Sequence, residues 1–351
     1  MRVLQVDAGR EWRGGQNQVR LLTRELARKR EIEQRLVTNR RGELARRAAA
    51  EGVTVRGVRW GISLDPRAAF DLLVVMNEFR PAVVHAHDSH ALALARWARR
   101  WVMWETDPPP LVATRRVDFH VRRGSGWFHV EAVIAVSEAV RRVLVADGMP
   151  QTGITVIPDG IDPVEIRTRA SARLDIRAHL GLAPGTPLVV NVAALVDHKD
   201  QRTLVRAAAA ARTARPDLHW AIAGDGELRG ALEREIAECG VGDRVHLLGY
   251  MEEVDALIRE ATVFVMSSKE EGMGSVILHA LALEKPVVAT AAGGIPEVLP
   301  PACLVPVGDA TALGAKVVEA ITHPPSPVSL PPKFTAKSMA QATLALYQSL
   351  A

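Results

Sequence analysis

One loop decides the fold of this chain: Ser267-Ser268-Lys269-Glu270-Glu271-Gly272-Met273-Gly274-Ser275. It joins the predicted strand Val263–Ser267 to the predicted helix Val276–Leu283. Its glycines permit close backbone approach, and the first turn of the helix offers free N–H groups and a partial positive charge. The loop is therefore predicted to bind an anion, and Glu271 beside it can accept hydrogen bonds from hydroxyl groups. A sugar attached to a phosphate satisfies both features.

Short apolar runs alternate with helical segments along all 351 residues, outward from this loop in both directions. Such alternation is typical of an α/β fold with parallel sheets covered by helices on both faces. About a dozen strands are too many for one compact sheet of this class, so we divide them between two sheets. The predicted strands are Val3–Val6, Arg35–Thr38, Thr54–Val58, Ala82–His87, Leu111–Arg115, Ala132–Ser137 and Ile154–Ile157 in the first half, and Leu188–Ala194, His219–Ala223, Val245–Leu248, Val263–Ser267, Pro286–Thr290 and Leu304–Val307 in the second.

The domain boundary is predicted just after the turn Pro158–Asp162, where a polar, Arg-rich helix begins. Residues 1–165 then form one Rossmann-like domain and residues 166–330 a second. After a Pro-rich stretch, residues 333–351 contain a final amphipathic helix, Phe334–Leu350.

Composition and charge limit where the protein works. The chain is 48% hydrophobic and 24% charged, as expected of a globular protein, and its apolar runs are shorter than the roughly 20 residues of a membrane-spanning helix. Asp7 interrupts the first apolar run, so a signal peptide is not expected and we predict a cytoplasmic protein. Residues 1–165 carry 26 Lys and Arg against 20 Asp and Glu, which suits an anionic partner, although solubilising arginines explain the excess more simply.

Three tryptophans, Trp97, Trp101 and Trp104, recur at helical spacing among arginines. A basic helix of this kind can lie on an anionic bilayer. Inward packing of the Trp face is commoner and is what we expect. The alternative leaves open a peripheral contact with the inner face of the cell membrane, whereas nucleic acid is not expected as a partner.

A pair of glycines follows the first predicted strand, in Arg13-Gly14-Gly15-Gln16. Glycines between a strand and a helix let backbone N–H groups face a phosphate at the helix N-terminus. The stretch lacks the full G-x-G-x-x-G fingerprint, which disfavours a nicotinamide dehydrogenase. A tight turn without a ligand explains the pair equally well.

Two histidines stand in His85-Ala86-His87-Asp88, at the end of a predicted strand. Because side chains alternate along a strand, the two are predicted to point to opposite sides of the sheet. One of them is expected to reach the crevice at the carboxyl end of the strand, where ligands bind in open α/β sheets. A buried structural histidine is the competing interpretation.

A lysine, Lys199, follows the first strand of the second half in Asp197-His198-Lys199-Asp200. It can place a positive charge on a leaving diphosphate, and a solvent-exposed lysine in a turn is the alternative. The later turn Ala223-Gly224-Asp225-Gly226 supports the fold more than it supports an activity.

At these residues the chain resembles the family 4, group 1 glycosyltransferases of the GT-B fold. Each motif alone is weak, but their order along nearly the whole chain is specific. The motifs are Gly14-Gly15, His85-Ala86-His87, Ala135-Val136-Ser137, Ile157–Asp162, Lys199, Ala223–Gly226, Glu271–Gly274, and Pro286–Thr290 with Gly293-Gly294. The resemblance implies two Rossmann-like domains whose parallel sheets face each other across a cleft. It also implies that the final helix crosses back to the first domain.

The activity implied by the resemblance is a retaining, metal-independent transfer of a hexose from a nucleoside diphosphate to an acceptor hydroxyl. The donor is expected to be UDP-linked and to bind mainly the second domain, with no separate cofactor. The acceptor, a glycan, lipid or small molecule, is expected to bind mainly the first domain. Such enzymes serve the synthesis of cell-envelope and other glycoconjugates.

The resemblance also assigns roles to individual residues. The catalytic residues are His87 near the transferred sugar, Lys199 at the diphosphate, and Glu271 at the sugar hydroxyls. The donor-binding residues are Gly14 and Gly15 at the diphosphate, Met273, Gly274 and Ser275 through their amides, Tyr250 and Met251 near the base, and His279 at the ribose.

Two departures from the family pattern weaken the expected donor site. Ala194 stands where the family usually has an arginine, and Arg115 or Arg116 is a candidate replacement for its charge. His279 stands where the family has a ribose-binding glutamate, and an imidazole accepts only one hydrogen bond. These changes motivate the alternative of a catalytically silent nucleotide-sugar-binding subunit. An epimerase of the same fold is a further alternative.

Overall fold

The computed structural model describes residues 1–61, 65–103 and 107–351. The chain divides into two compact units, residues 1–161 with 332–351, and residues 162–331. The strands are β1 Arg2–Asp7, β2 Glu33–Asn39, β3 Val55–Val58, β4 Val83–Ala86, β5 Leu111–Arg115, β6 Ala132–Ala135, β7 Ile154–Val156, β8 Leu188–Val192, β9 His219–Ala223, β10 Val245–Gly249, β11 Val263–Met266, β12 Val287–Thr290 and β13 Leu304–Val305. The helices are α1 Gly14–Ala27, α2 Glu43–Ala50, α3 Pro66–Phe79, α4 Ser89–Arg99, α5 Glu138–Ala146, α6 Pro163–Ala170, α7 Ile176–His179, α8 Gln201–Ala211, α9 Arg229–Glu238, α10 Val254–Glu260, α11 Ser275–Ala282, α12 Ala310–Thr322 and α13 Ala336–Leu350.

Each unit contains one parallel sheet. In the described ranges, the first sheet has seven strands in the order β3-β2-β1-β4-β5-β6-β7, and the second has six in the order β10-β9-β8-β11-β12-β13. The strand order reverses between β1 and β4 in one sheet and between β8 and β11 in the other. Ligands of open α/β sheets bind at the carboxyl ends of strands where this reversal occurs. The predicted fold class, α/β with two parallel sheets, is confirmed.

The predicted strands that include His87 and Ser137 are too long at their carboxyl ends. β4 stops at Ala86 and β6 at Ala135, because the residues that follow leave the sheet to cap helices. The Asp88 carboxylate accepts hydrogen bonds from the first-turn amides of α4, and Ser137 Oγ accepts one from Val140 N at 3.1 Å. Helix capping therefore takes over where the apolar sequence pattern continues.

The first unit is completed by the last helix of the chain. Met339 and Tyr347 of α13 pack with Val3 of β1 and with Leu22 of α1 in one buried apolar cluster. The segment by which the chain leaves this unit lies next to the segment by which it returns. Ile161 N donates to Phe334 O at 2.9 Å, and Ala336 N donates to Ile161 O at 2.8 Å.

The tryptophans near the end of α4 are exposed rather than packed inward. Trp97 is 39% exposed and Trp101 is 60% exposed, with ring centroids 6.3 Å apart. The expectation of inward packing is therefore wrong for Trp101, which follows the end of α4 at Arg99. Trp104 lies outside the described residues. Within the part of the chain that the structure describes, the helices are too short or too polar to span a bilayer.

We predict that Gly160→Ala destabilises the first unit. A Cβ at Gly160 would lie 2.5 Å from the carbonyl carbon and oxygen of Thr335, so one of the two backbone segments must move. We expect the free energy of unfolding to fall by about 2–3 kcal/mol, as for other overpacked sites. Gly153→Ala is the matched control, because its Cβ would have only Pro150 within 4 Å, at 3.9 Å. Urea unfolding followed by fluorescence measures both variants, and equal stability would contradict the close approach.

Candidate functional site

The first candidate site lies at the carboxyl ends of β1 and β4. These strands pair in parallel, with Val6 opposite Ala86. The Asp88 carboxylate then accepts hydrogen bonds from Ala8 N at 2.7 Å and from His90 N at 2.8 Å. One carboxylate therefore holds the loop after β1 against the start of α4.

The side chains of His85 and His87 lie together, so the prediction that they point to opposite sides of the sheet is wrong. Their ring centroids are 4.0 Å apart, and both residues are buried. The reason is that successive side chains of a strand point to opposite faces, whereas side chains two residues apart point to the same face. His87 continues this pattern although β4 ends at Ala86, because its N–H still donates to Val6 O at 2.9 Å.

Buried hydrogen bonds join His85 to α13. Gln5 Nε2 donates to the Tyr347 hydroxyl at 3.3 Å, and this hydroxyl lies 2.5 Å from His85 Nδ1. His85 Nε2 lies 2.6 Å from Thr114 Oγ1. All these groups are satisfied when the Tyr347 hydroxyl donates to Nδ1 and the Nε2–H donates to Thr114.

The same network fixes the tautomer of His87. Its Nε2 lies 2.8 Å from Gln5 Oε1, and because that oxygen can only accept, Nε2 carries the proton. Nδ1 is then a buried acceptor with no hydrogen-bond partner among the described residues. Burial, followed by the neighbouring His85 and Arg116, lowers the pKa of His87 well below its ordinary value. His87 is therefore a neutral imidazole near pH 7.

Asp7, at the end of β1, is a titratable group that sequence reasoning did not single out. Burial and the nearby charge of Asp88 raise its pKa to about 6. A hydrogen bond from Gly9 N at 2.9 Å opposes this shift. An acid of this kind changes its charge just below neutral pH.

The glycine pair stands at an uncapped helix start. α1 begins at Gly14, its N-cap residue Arg13 makes no side-chain capping bond, and its first turn carries no acid. A Cβ at Gly15 would meet no atom within 4 Å, so packing among the described residues does not demand glycine there. The first-turn amides suit an anionic ligand.

The two arginines offered as replacements for the missing family arginine are used within the first unit. Arg116 Nε lies 3.1 Å from Asp159 Oδ1, and Arg116 Nη1 donates to His87 O at 3.1 Å. Arg115 donates to Phe119 O at 2.7 Å and lies over the Trp127 ring. Their side chains support the first unit around His87.

The second candidate site lies at the carboxyl ends of β8 and β11, where the structure brings Lys199 and Glu271 together. Lys199 Nζ forms an ion pair with the Glu271 carboxylate, and their side chains are 20% and 12% exposed. Ser268 Oγ lies 3.3 Å from Glu271 Oε2, and Ser267 Oγ donates to Lys199 O at 3.1 Å. Two loops distant in sequence are thereby joined into one polar cluster.

The glycines of Ala223–Gly226 support the loop that carries Lys199. A Cβ at Gly226 would lie 2.5 Å from Leu195 O, and Leu195 N donates to Asp225 O at 3.0 Å. This close approach fixes the segment that leads from β8 to Lys199.

The loop after Glu271 ends in an uncapped helix. Gly274 is the N-cap residue of α11 with a φ of 77°, a conformation that favours glycine, and it supplies no side-chain cap. Met273 is buried, and the first turn of α11, starting at Ser275, carries no acid. Gly294 N donates to Glu271 O at 2.9 Å and fixes the loop on its other side. The helix start is arranged as an anion site beside a carboxylate.

His279 is held by two residues that sequence reasoning missed, Asp255 and Arg169. His279 Nδ1 lies 2.6 Å from Asp255 Oδ1, and Arg169 Nε donates to Asp255 Oδ2 at 2.6 Å. Burial alone would raise the pKa of Asp255, but His279 and Arg169 outweigh it and lower that pKa. His279 Nδ1 thus carries a proton and donates a hydrogen bond to the Asp255 carboxylate. The one sequence signal was an acid within a short apolar helix, beside Ala256, Leu257 and Ile258.

Tyr250 and Met251 follow β10, which lies at the edge of the second sheet. Tyr250 is 63% exposed. Tyr250 therefore stands as an exposed side chain at the sheet edge.

Two families match the chain in sequence. Residues 12–165 match Glycosyltransferase Family 4, and residues 172–333 match Glycosyl transferases group 1. The two matched segments together cover most of both units.

Curated relatives match parts of the chain. It is 28% identical over 215 residues to the 2-deoxystreptamine glucosyltransferase of Streptomyces kanamyceticus, covering 59% of this chain and 54% of that protein. It is 32% identical over 176 residues to the GDP-mannose-dependent alpha-(1-6)-phosphatidylinositol monomannoside mannosyltransferase of Mycolicibacterium smegmatis, covering 48% of this chain and 46% of that protein. The chain spans about half the length of the curated relatives it matches.

A solved structure matches over the full length. Anabaena Alr3699/HepE in complex with UDP and glucose superposes with a TM-score of 0.83 at 19% identity, covering 100% of both chains. At this identity the likeness shows a shared fold.

We predict that Tyr347→Phe destabilises the first unit. The hydroxyl that bridges Gln5 and His85 would be lost, leaving buried polar groups unpaired, which costs about 1–3 kcal/mol. The chain has one other tyrosine, the exposed Tyr250, so Tyr250→Phe is a matched control that we expect to stay within about 0.5 kcal/mol. Thermal and urea unfolding measure both, and a neutral Tyr347→Phe would contradict the network.

We predict that Asp7→Asn flattens the pH dependence of stability. With its pKa raised from 3.8 to about 6, folded Asp7 keeps a proton that the unfolded chain releases near pH 4. The free energy of unfolding should therefore fall as pH rises from about 4 to 7, by about 3 kcal/mol from this group. Asp7→Asn removes that fall, whereas the exposed Asp107→Asn keeps it. Urea unfolding at pH 4 and pH 7 measures the difference, and an unchanged slope in Asp7→Asn would refute the assignment.

Proposed function

We propose that this chain, which belongs to the family 4, group 1 glycosyltransferases with the GT-B fold, transfers a hexose from a nucleoside diphosphate to an acceptor hydroxyl with retention. The observation that carries the proposal is the pairing of Lys199 with Glu271 beside the uncapped start of α11. It supplies a cation and amide donors for a diphosphate, and a carboxylate for sugar hydroxyls. These are the groups that a sugar attached to a phosphate requires.

Leaving-group stabilisation is proposed as the main chemical contribution of the second unit. Lys199 places its charge on the departing diphosphate, and the amides of Met273, Gly274 and Ser275 donate to phosphate and sugar oxygens. Ala194 contributes no charge, and its carbonyl is bonded by Gln201 Nε2 at 2.9 Å. Loss of one charge-assisted contact, about 1.5–3 kcal/mol, weakens this stabilisation without abolishing it.

A UDP-linked hexose is the proposed donor. The similar Anabaena structure is a complex with UDP and glucose, whereas the relative from Mycolicibacterium smegmatis is GDP-mannose-dependent. The ribose would meet His279 Nε2, because Asp255 binds the other ring nitrogen, Nδ1. The base would meet the backbone near Tyr250 and Met251.

The first unit is proposed to bind the acceptor, through residues 1–165, while residues 166–330 bind the donor. Gly14 and Gly15 would approach the diphosphate by their amides, and His87 would accept a hydrogen bond from a hydroxyl of the transferred sugar. No metal ion is needed in this proposal, since Lys199 and the helix start carry the positive charge.

A cytoplasmic enzyme of glycoconjugate synthesis, in contact with the inner face of the cell membrane, is the proposed setting. The exposed Trp97 and Trp101 beside Arg96 and Arg99 support such a contact. Amphipathic aromatic rings and arginines suit the interface of an anionic bilayer.

We predict that Lys199→Ala lowers turnover by at least about 100-fold, as expected when a charge-stabilising group is removed. The assay incubates the enzyme with each UDP- and GDP-hexose and follows release of the nucleoside diphosphate, first without an acceptor. Lys316→Ala is the control, because Lys316 pairs with Glu319 on α12 at 2.9 Å and has no proposed role at the diphosphate. Unchanged turnover in Lys199→Ala would remove this lysine from the mechanism.

The same assay separates the alternative functions. Slow release of nucleoside diphosphate from one donor supports a glycosyltransferase. An altered sugar nucleotide without an acceptor would indicate an epimerase. Donor binding by calorimetry without hydrolysis or transfer would indicate a silent subunit, the alternative that Ala194 and His279 favour.

A further inference from the structure

A cavity of about 610 Å³ opens in the first unit, and the residues assigned above do not line it. Its volume lies within the range of small-molecule sites. Its charged lining residues are Arg10, Arg40, Arg41, Asp65, Arg59 and Arg67. Among the described residues that line it, arginines therefore outnumber acids by five to one.

The fold brings these arginines together from separate segments. Arg10 follows β1, Arg40 and Arg41 follow β2, Arg59 follows β3, and Arg67 lies in the first turn of α3. Because β1, β2 and β3 are parallel neighbours, their carboxyl ends meet at one edge of the sheet. This is the edge at which open α/β sheets bind ligands.

Asp65, the one acid among the described residues that line the cavity, already accepts hydrogen bonds from backbone N–H groups. The Asp65 carboxylate accepts hydrogen bonds from Gly61 N at 2.8 Å and from Arg67 N at 3.0 Å, and it caps α3. The hydrogen bond from Gly61 N lowers the pKa of Asp65 most, and the charge of Arg67, which also lies near this carboxylate, contributes to the same shift. Among the residues that the structure describes, Arg40, Arg41 and Arg59 form no ion pair, so three guanidinium groups are left without a protein anion.

The walls of the cavity are held in place. Arg10 Nη2 donates to Trp60 O at 2.6 Å and also to Gly61 O, which ties the loop after β1 to the end of β3. Trp60 is 7% exposed, and its indole Nε1 is buried without a hydrogen-bond partner in the part of the chain that the structure describes. The arginines therefore surround a fixed frame rather than a free loop.

A helix start also contributes to the lining. Gly42 is the N-cap residue of α2, lines the cavity and makes no side-chain capping bond. The acid in the first turn, Glu43, is bound by Arg46 and Arg47 of the same helix. The partial positive charge of the helix start adds to that of the arginines.

We propose that this cavity binds a phosphate group of the acceptor, and that it selects phosphate-bearing over neutral acceptors. A planar guanidinium fork matches phosphate oxygens in a bidentate way, and several forks can surround one dianion. Solubilising arginines have no need to converge on one cavity. The acceptor assignment rests on the proposed glycosyl transfer, whereas phosphate binding does not.

The test measures phosphate binding directly on the full chain. Calorimetry with glycerol 3-phosphate gives one arm, and flotation with phosphatidylcholine vesicles containing phosphatidic acid gives the other. Both probes carry the same phosphomonoester, so binding in the first arm assigns a soluble acceptor, and binding in the second arm alone assigns a lipid headgroup. Glycerol and pure phosphatidylcholine vesicles are the neutral controls.

The variant is Arg59→Gln with Arg67→Gln, and the matched control is Arg142→Gln, an exposed arginine of α5 outside the cavity. We expect the double variant to bind phosphate at least about tenfold more weakly, as loss of charge-assisted hydrogen bonds requires. Arg142→Gln should bind within about twofold of the wild type. Equal weakening in both variants, equal binding by wild type and double variant, or no binding in either arm would overturn the proposal.

Donor hydrolysis without an acceptor distinguishes this inference from the proposed function. It should be unchanged in the double variant, because these arginines are not donor contacts. If the wild type neither hydrolyses a donor nor transfers its sugar, the proposed function fails while the binding arms still decide whether the cavity takes phosphate. Superimposable melting curves of wild type and variants establish that the fold is retained.

Discussion

Parallel pairing between β8 and β11 is the constraint on which the second candidate site depends. Val189 and Val190 of β8 lie opposite Val263 and Phe264 of β11, although the two strands are more than seventy residues apart in sequence. The carboxyl ends of β8 and β11 therefore lie side by side. This brings the Lys199 and Glu271 side chains together, although the loops that carry them are distant in sequence. The same constraint in the first unit, between β1 and β4, places His87 beside the loop that precedes α1.

Where local pattern and chemistry agree, the sequence predicts the structure closely. Buried parallel strands have a continuous apolar pattern, so the strand positions and the α/β class follow from it. Lys199 and Glu271 were found because glycines and a helix start mark the loops that carry them. The prediction failed at His87, because side chains two residues apart on a strand point to the same face and His85 and His87 are two residues apart.

Sequence reasoning missed the remaining site residues because their partners are distant in the chain. Gln5 and Tyr347 are 342 residues apart, yet together they set the tautomer of His87 through one amide and one hydroxyl. No periodicity or spacing marks such a pair. Asp7 is similar, because its raised pKa comes from burial and from Asp88, and neither is visible in the apolar run in which it stands.

The replacement of a family carboxylate by His279 has a structural counterpart in Asp255. The Asp255 carboxylate lies against the imidazole and is hydrogen-bonded to its Nδ1 and to Arg169. A histidine alone can present either nitrogen as donor or acceptor, so it would recognise a hydroxyl without a fixed polarity. A buried carboxylate on Nδ1 removes part of that freedom, because it keeps a proton on Nδ1. In the proposed donor site, an imidazole held in this way offers a ribose fewer hydrogen bonds than a carboxylate would.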